Sequence, residues 1–306
     1  MITVYNALVS RLIHMLLLLT GSLPYPLFVV VSQAIGDVWF AFDRRHRRVA
    51  MDNLKKAFKD GMTDGEIKAT ARENFRQLAR LIFEVGWSLG LKKHEIRKHI
   101  RLEGLENVQR AFAEKKGVLF LTAHMGSWEL LTLVPALIPY SVHDIYRPLD
   151  YGPLEQVLVN FRTRFGLKLI AKEGAIRKMM KALARNEGVA IPLDQSVGAK
   201  DGVFADFFGE PTCTSKGLGL IAMKNRTPVV PVFMVRERGK FVVMFGPKVR
   251  MNVSGNIQED LIENTTACNS VIEQIIRRYP SQWFWVHNRW KTKKPVVCDV
   301  MPDKEG

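Results

Sequence analysis

Two hydrophobic patterns divide the chain, and the change falls near residue 117. Residues 49–116 carry apolar side chains at helical spacing, as in Leu54, Ala57 and Phe58, which predicts a helical part. Beyond it, short apolar runs alternate with longer amphipathic runs, an order typical of α/β proteins. The predicted strands are Val118–Thr122, Val142–Arg147, Val189–Leu193, Val229–Val235 and Phe241–Phe245. The predicted helices are Leu154–Phe165, Gly174–Arg185, Lys216–Lys224 and Gln258–Arg278.

The amino-terminal segment predicts membrane contact. Residues 12–42 are almost free of charge, with Asp37 as their sole ionised side chain, but a turn-forming stretch at residues 21–26 splits them. Neither half supplies the roughly 20 apolar residues of a spanning helix, so a kinked span and a hairpin that dips into one leaflet both fit. The basic run Arg44–Arg48 follows, which suits anionic headgroups and predicts that the body lies on the cytoplasmic side. We predict a membrane-associated segment over residues 1–48 and one domain over residues 49–306, helical to residue 116 and α/β from residue 117.

The charge and the cysteines narrow the function classes. A formal net charge of +15 favours anionic partners, such as an anionic membrane, an acidic protein or a phosphorylated substrate. Nucleic acid is disfavoured because the sequence has no recognition-helix, zinc-finger or aromatic-basic signature. The cysteines Cys213, Cys268 and Cys298 lie far apart, which predicts a reducing compartment without a disulfide framework or structural zinc. Cys213 is predicted to be a small buried residue rather than a nucleophile.

Polar side chains follow three of the predicted strands. His124 follows the first strand, Arg147 ends the next, and Asp194 with Gln195 follows a third. The carboxyl ends of strands in an open α/β sheet share one crevice, so these residues are expected to lie together. Each of them alone also has a structural interpretation, as a surface ion pair for Arg147 or a turn cap for Asp194.

The spacing of His124 and Glu129 suggests a base with a partner carboxylate. His124 is expected at the strand end and Glu129 in the first turn of the next helix, with Ser127 as its cap. A carboxylate on one imidazole nitrogen makes the other nitrogen a better base, able to deprotonate an alcohol that attacks an activated acyl group. The spacing alone leaves open that the two residues have no mutual role.

Several blocks, in order along nearly the whole chain, resemble the lipid A biosynthesis lauroyl/myristoyl acyltransferases. The first is Ala123–Glu129, which resembles the His-x-Gly-Asn-Trp-Glu signature of that family, with Ser127 in place of the usual Asn. The other matching blocks are Tyr146–Pro148, Asp194–Gln195 with Asp206–Pro211, Pro228–Phe233, Asn53–Leu54 with Phe58, and the tail Trp285–Thr292. The tail departs from the family where Asn288 precedes Arg289, which weakens one potential phosphate contact.

The resemblance implies a fold and a reaction. The fold is a glycerolipid-acyltransferase-like α/β sandwich with a mixed central sheet and helices on both sides. The reaction is transfer of a fatty acyl group from acyl carrier protein to a hydroxyl of an anionic glycolipid, at the cytoplasmic face of the inner membrane, without metal or cofactor. His124 would be the general base, oriented by Glu129. Arg147 and Arg289 would bind phosphate or carboxylate, while Asp194 and Gln195 would bind substrate, Asp194 through sugar hydroxyls or by holding Arg147.

Two alternatives remain at this stage. A glycerophospholipid or glycolipid acyltransferase using acyl-CoA would need the same dyad, although those enzymes more often show His-x4-Asp and a Glu-Gly-Thr-Arg block. A membrane-anchored basic scaffold without catalysis would explain the arginine run but not the three polar strand ends.

Overall fold

A mixed sheet forms the centre of the protein, which a computed structural model describes over residues 2–294. The strands are β1 (Ile100–Glu103), β2 (Val118–Thr122), β3 (Val142–Tyr146), β4 (Lys168–Ala171), β5 (Gly188–Pro192), β6 (Gly202–Phe207), β7 (Glu210–Ser215), β8 (Val229–Glu237) and β9 (Lys240–Phe245). Seven of them form the sheet in the order β1-β9-β8-β2-β5-β3-β4, and β6 and β7 form a separate antiparallel pair. Only β8 and β9 run antiparallel within the large sheet.

Helices surround this sheet. They are α1 (Ile2–Gly21), α2 (Tyr25–Phe42), α3 (Arg44–Phe58), α4 (Asp64–Leu89), α5 (Ile96–His99), α6 (Leu105–Ala113), α7 (Gly152–Thr163), α8 (Ala175–Ala184), α9 (Gly217–Asn225) and α10 (Ile257–Arg278). Alternate side chains of β2 enter two different cores, with Leu119 and Leu121 in one and Val118 and Phe120 in the other. The predicted mixed α/β architecture, with a central sheet and helices, is confirmed.

The predicted strands and helices agree with the structure to within two residues, but four features were missed. The segment 49–116, predicted as helical, also contains β1, which extends the sheet edge beside β9. The short strand β4 and the β6–β7 pair lack a long apolar run, so hydrophobic periodicity did not reveal them. The helix after His124 is a 3-10 helix, Trp128–Ala136, that contains Pro135. Proline has no N–H to donate, which disfavours a regular α-helix there.

The amino-terminal helices α1 and α2, joined by a short turn at residues 22–24 and called the hairpin below, each pack on α4. On α2, Phe28 and Phe40 are buried, and Asp37 receives hydrogen bonds from both Arg72 and Arg76 on α4 at 2.7–2.8 Å. Of the helices described over residues 2–294, α2 alone has the length and apolar composition to cross a membrane. The face of α2 that points away from α4 is exposed and apolar, as is the outer face of α1.

The basic run after the hairpin has a structural role in part. Arg47 donates hydrogen bonds to the carbonyls of Phe40 and Ala41 at 2.9 Å, so it satisfies the carboxyl end of α2. Asp43 caps α3 by accepting from the backbone N–H of His46. The other arginines of the run are exposed.

Two glycines allow α1 and α4 to cross closely. A Cβ added at Gly86 would lie 2.1 Å from the carbonyl oxygen of Leu17, and one at Gly21 would lie 2.2 Å from backbone atoms of Gly86 and Trp87. No side chain fits at either position without separating the helices.

Replacing Gly86 by leucine is therefore expected to undock α1. Overpacking of this kind costs roughly 1–3 kcal/mol, or roughly 2–10 °C in Tm. Thermal unfolding in detergent measures it, with Gly65→Leu as the matched control, because Gly65 lies in the same helix and a Cβ there would meet only Thr63 Oγ1, at 3.9 Å. Equal Tm values for the two variants would show that α1 does not pack on α4.

Candidate active site

His124 and Asp194 form a hydrogen-bonded pair at the carboxyl ends of two neighbouring strands. The Nδ1 atom of His124 lies 2.9 Å from Oδ1 of Asp194. Oδ2 of Asp194 accepts from the backbone N–H of His124 at 2.9 Å and from the indole Nε1–H of Trp283 at 2.8 Å. With Nδ1 donating to the carboxylate, Nε2 is the ring nitrogen available to a bound molecule.

The sheet register explains this meeting. β2 and β5 are parallel neighbours, with Thr122 opposite Pro192, so the residues two positions further along emerge side by side. The backbone continues this pairing past the strands, because the N–H of Leu193 donates to the carbonyl of Thr122 at 3.0 Å. The predicted convergence of polar strand ends at one crevice is thus observed for His124 and Asp194.

Burial and charge shift the pKa values of His124 and Asp194 in opposite directions. Burial lowers the pKa of His124, but the Asp194 carboxylate outweighs it, and the pKa of the imidazole is raised above its usual value. Burial likewise raises the pKa of Asp194, yet its contact with His124 and its three hydrogen bonds bring that pKa well below the usual range. Asp194 is therefore ionised at neutral pH, and His124 is a stronger base than a free imidazole.

Glu129 does not make the hydrogen bond to His124 that the spacing suggested. Its carboxylate is paired with the guanidinium of Arg162 on α7, at 2.6 Å from Nη2 and 3.0 Å from Nε. It stays close enough to His124 to contribute to the raised pKa of the imidazole. The carboxylate that holds the imidazole is Asp194, because β5 lies directly beside β2 and Glu129 points from the 3-10 helix towards α7.

A cavity of about 1000 Å³ opens at this pair. His124, Glu129, Arg147 and Gln195 all line it. The amide nitrogen of Gln195 lies 3.5 Å from Nδ1 of His124. Four predicted residues thus surround one space, and Asp194 lies behind them.

Arg147 lies at the mouth of the cavity. Its side chain is 78% exposed and makes a 3.3 Å contact to the exposed Asp150. The predicted alternative in which Asp194 holds Arg147 is wrong, since the Asp194 carboxylate is occupied by His124 and Trp283. The guanidinium of Arg147 is free to turn towards a ligand at the rim.

Arg289 is not a cavity residue. It is fully buried, its guanidinium lies 4.9 Å from the ring of Phe207, and it donates to Thr214 Oγ1 at 2.7 Å. Burial lowers its pKa to about 10. The predicted contact of Arg289 with a substrate phosphate is therefore corrected: the residue packs the tail against the β6–β7 pair.

Ser127 does not cap the helix that follows it. Its hydroxyl donates to Oε2 of Glu84 at 2.6 Å, and Glu84 is buried in α4. The loop at Gly126 and Ser127 is also held by Gln282, whose carbonyl accepts from the N–H of Gly126 at 2.8 Å. A side chain at Gly126 would meet the carbonyl of Met234, which explains the glycine with φ +57°.

Several cavity residues escaped the sequence reasoning. The cations Lys172, Lys216 and Lys291 line the cavity, and so does His287. Burial lowers the pKa of His287 to about 4, so this second imidazole is neutral. Lysines are common at surfaces and carry no sequence signal, but the tail block that contains His287 did resemble the acyltransferase family.

The two cysteines that the structure describes take no part in this site. Cys213 and Cys268 are buried free thiols, and burial raises the pKa of each. Neither lines the cavity. Cys298 lies outside the described residues.

The cavity continues along one face of the sheet as an apolar channel. Phe120, Ala190 and Asp144 are opposite one another on β2, β5 and β3, and all three line it. Val142 and Leu167 line its far part. Burial raises the pKa of Asp144 to about 7, so this carboxyl is readily neutral beside an apolar ligand. The channel follows β3 from Tyr146 back to Val142, roughly 13 Å at strand rise.

The chain matches the family model of bacterial lipid A biosynthesis acyltransferases over residues 4–292. It belongs to that family. It is 29% identical over 275 residues to a lipid A biosynthesis palmitoleoyltransferase of Escherichia coli K12, covering 89% of this chain and 87% of the relative. It is 25% identical over 289 residues to a lauroyltransferase of the same organism, covering 91% and 90%, and 22% identical over 250 residues to its myristoyltransferase, covering 81% and 76%.

Membership makes the protein an O-acyltransferase of lipid A biosynthesis. Two separate blocks that suggested the family meet in the fold of this acyltransferase. The side-chain amide of Asn53 on α3 donates to the carbonyls of Trp285 and His287 in the tail, at 2.8 and 2.7 Å. Trp283, two residues before the tail, donates to Asp194.

Proposed function

We propose that this acyltransferase moves a fatty acyl chain from acyl carrier protein to a hydroxyl of a lipid A precursor, with His124 as general base. The observation that carries the proposal is the His124–Asp194 pair at the junction of a charged cavity mouth and an apolar channel. The mouth suits a phosphorylated sugar, the channel suits an acyl chain, and the base lies between them.

In the proposed reaction, Nε2 of His124 takes the proton of the acceptor hydroxyl as its oxygen attacks the thioester carbonyl. The new C–O bond gives a tetrahedral oxyanion, which collapses and breaks the C–S bond. The leaving thiolate then takes the proton from the imidazolium. Asp194 keeps the Nδ1–H tautomer and stabilises the cation, and such general-base help is worth about 10²–10⁴ in rate.

The oxyanion requires hydrogen-bond donors near His124. The 3-10 helix that begins at Trp128 leaves the N–H groups of Trp128 and Glu129 without partners inside the helix, whereas the N–H of Leu130 donates to the carbonyl of Ser127. These groups follow directly after the Gly126–Ser127 loop, which Gln282 and Glu84 hold in place. We assign the oxyanion contact to this turn, because fixed donors need no rearrangement as the charge develops.

The cations at the mouth are proposed to bind the phosphates of the acceptor. Arg147, Lys172, Lys216 and Lys291 surround the opening. Arginine and lysine form short charge-assisted hydrogen bonds to phosphate oxygens. Glu129 is proposed to act here by keeping Arg162 in place, and Gln195 by contacting the substrate beside His124.

The exposed apolar faces of α1 and α2 are proposed to rest in the cytoplasmic leaflet of the inner membrane. Because α2 is held along α4 by Phe28, Asp37 and Phe40, we favour shallow insertion of the hairpin over a span. The hairpin is also fixed near the cavity, since the Ser10 hydroxyl donates at 2.9 Å to the carbonyl of Pro153, three residues after the cavity-lining Asp150. A lipid acceptor in the membrane would thus enter the cavity from the side.

The reaction is tested with purified protein in detergent, a lipid A precursor and either acyl carrier protein or coenzyme A as the acyl carrier. His124→Ala should lose transfer by about 10²–10⁴ while binding vesicles as the wild type does. The positive charge of the protein should attract the acidic carrier protein, so transfer from it should slow as salt rises. Undiminished transfer by His124→Ala would refute the role of His124 as general base. Transfer that is faster from acyl-coenzyme A than from acyl carrier protein at every salt concentration would refute the carrier protein as donor.

Mass spectrometry of lipid A gives the cellular readout. Cells that lack this protein should lose one secondary acyl chain from lipid A. Complementation with the wild type should restore that chain, and complementation with His124→Ala should not.

A further inference from the structure

A second cavity, of about 620 Å³, lies between α2, α4 and the turn that joins β8 to β9. It shares no lining residue with the active-site cavity. Tyr25, Phe28, Trp87 and Phe241 give it an apolar, aromatic wall. Five basic residues also line it: Arg80, Lys98, Arg236, Arg238 and Lys240.

The positive charge of this cavity is not neutralised by the residues that line it. Glu84 is the carboxylate among the lining residues. It is paired with Arg236, which donates to both of its oxygens at 2.5 Å. Within residues 2–294, Lys98, Arg238 and Lys240 take part in no salt bridge. Three exposed cations therefore face a space whose other wall is aromatic.

The cavity lies where the membrane surface is expected. Tyr25 begins α2, is 56% exposed and lies beside the exposed apolar residues of the hairpin. The guanidinium of Arg80 lies 5.9 Å from the ring of Tyr25, within reach of the same space. Tyrosine and tryptophan prefer the level of the headgroups, and basic side chains there attract anionic lipids.

We infer that this cavity binds the headgroup of an anionic membrane phospholipid, separately from the acyl acceptor. The phosphodiester would lie between Lys98, Arg238 and Lys240. The glycerol and the first part of the acyl chains would lie against Tyr25 and Phe241, and the tails would continue into the leaflet beside α2. An amphiphile matches this division of basic and aromatic surfaces better than a free anion, which would leave the aromatic wall unused.

The floor of the cavity connects to the active site. Glu84, which binds Arg236, also accepts from the hydroxyl of Ser127 at 2.6 Å. The side-chain oxygen of Gln282 accepts from the backbone N–H of Arg236 at 2.8 Å, and its side-chain amide donates to the backbone carbonyl of Arg236. The backbone carbonyl of Gln282 accepts from the N–H of Gly126. A bound lipid would therefore steady the loop next to His124.

Native mass spectrometry of the full-length protein in detergent tests the inference, with phosphatidylglycerol and phosphatidylcholine of identical acyl chains as probes. The wild type should retain one phosphatidylglycerol per chain in preference to phosphatidylcholine. Arg238→Glu with Lys240→Glu should weaken that retention by about tenfold or more, and the glutamine versions of both should weaken it less. The matched control, Lys178→Glu with Lys181→Glu, makes the same charge change on exposed α8, outside the cavity.

The result that supports a lipid site is loss of phosphatidylglycerol in the cavity variant alone. Equal loss in the control would show a general charge effect and overturn the site. Equal retention of both lipids by the wild type would also overturn it. Complete displacement by millimolar inorganic phosphate would show a free-anion site instead of a lipid site. These readouts need no acyl transfer, so their failure is distinct from failure of the proposed reaction.

Discussion

Replacing Asp194 by asparagine is expected to lower kcat for acyl transfer by about 10²–10⁴. Asparagine keeps the shape of the buried side chain but no longer fixes the Nδ1–H tautomer or stabilises the imidazolium. The reacting form of His124 is the neutral ring, so the rate rises as pH increases through its pKa. Asp194 raises that pKa against the effect of burial. Removing the carboxylate should therefore move the rising limb of the pH–rate profile to lower pH.

Glu129 supplies the control, because the sequence alone favoured it as the partner of His124. Glu129→Gln would leave Arg162 unpaired, so the matched variant replaces both partners by glutamine and removes the ion pair without a stranded charge. This double variant should lose less activity and shift the pH limb less than Asp194→Asn. A larger kcat loss and a larger pH shift in the double variant than in Asp194→Asn would show that Glu129, and not Asp194, orients His124. Circular dichroism and Tm of each variant separate this from unfolding.

Replacing Ala190 by leucine is expected to shift donor preference towards shorter acyl chains. Ala190 lies opposite Phe120 and Asp144 on the channel face of the sheet, where a larger side chain would project into the space. Burial of each methylene in an apolar site contributes about 0.8 kcal/mol to binding, so exclusion of two methylenes costs about 1.6 kcal/mol. The ratio of kcat/KM for a 16-carbon donor to that for a 12-carbon donor should fall about fifteen-fold relative to the wild type.

The measurement is competition between the two donors at limiting acceptor, followed by mass spectrometry of the product. Ala184→Leu, at an exposed position on α8, is the matched control and should keep the wild-type ratio. If Ala190→Leu lowered both rates equally, the acyl chain would not follow this channel.

The local elements could be read from the chain because their causes are local. The run Val118–Thr122 is apolar throughout and is the buried central strand β2, and Thr63 with Glu66 forms the capping box that begins α4. The strand β1 was missed because its four residues alternate weakly, and its pairing with β9 joins segments about 140 residues apart. Pairing over such a distance has no signature in a short window of sequence.

The sequence by itself determined the family, the α/β class and the strand-end residues from which the chemistry is built. Resemblance blocks and hydrophobic periodicity are properties of order along the chain, so a single sequence contains them. Tertiary structure alone decided which carboxylate meets His124. Glu129 is five residues away but is drawn to Arg162, whereas Asp194 is seventy residues away and is brought into contact by the pairing of β2 with β5. It also decided that Arg289 is buried, because burial depends on segments that pack across the whole fold.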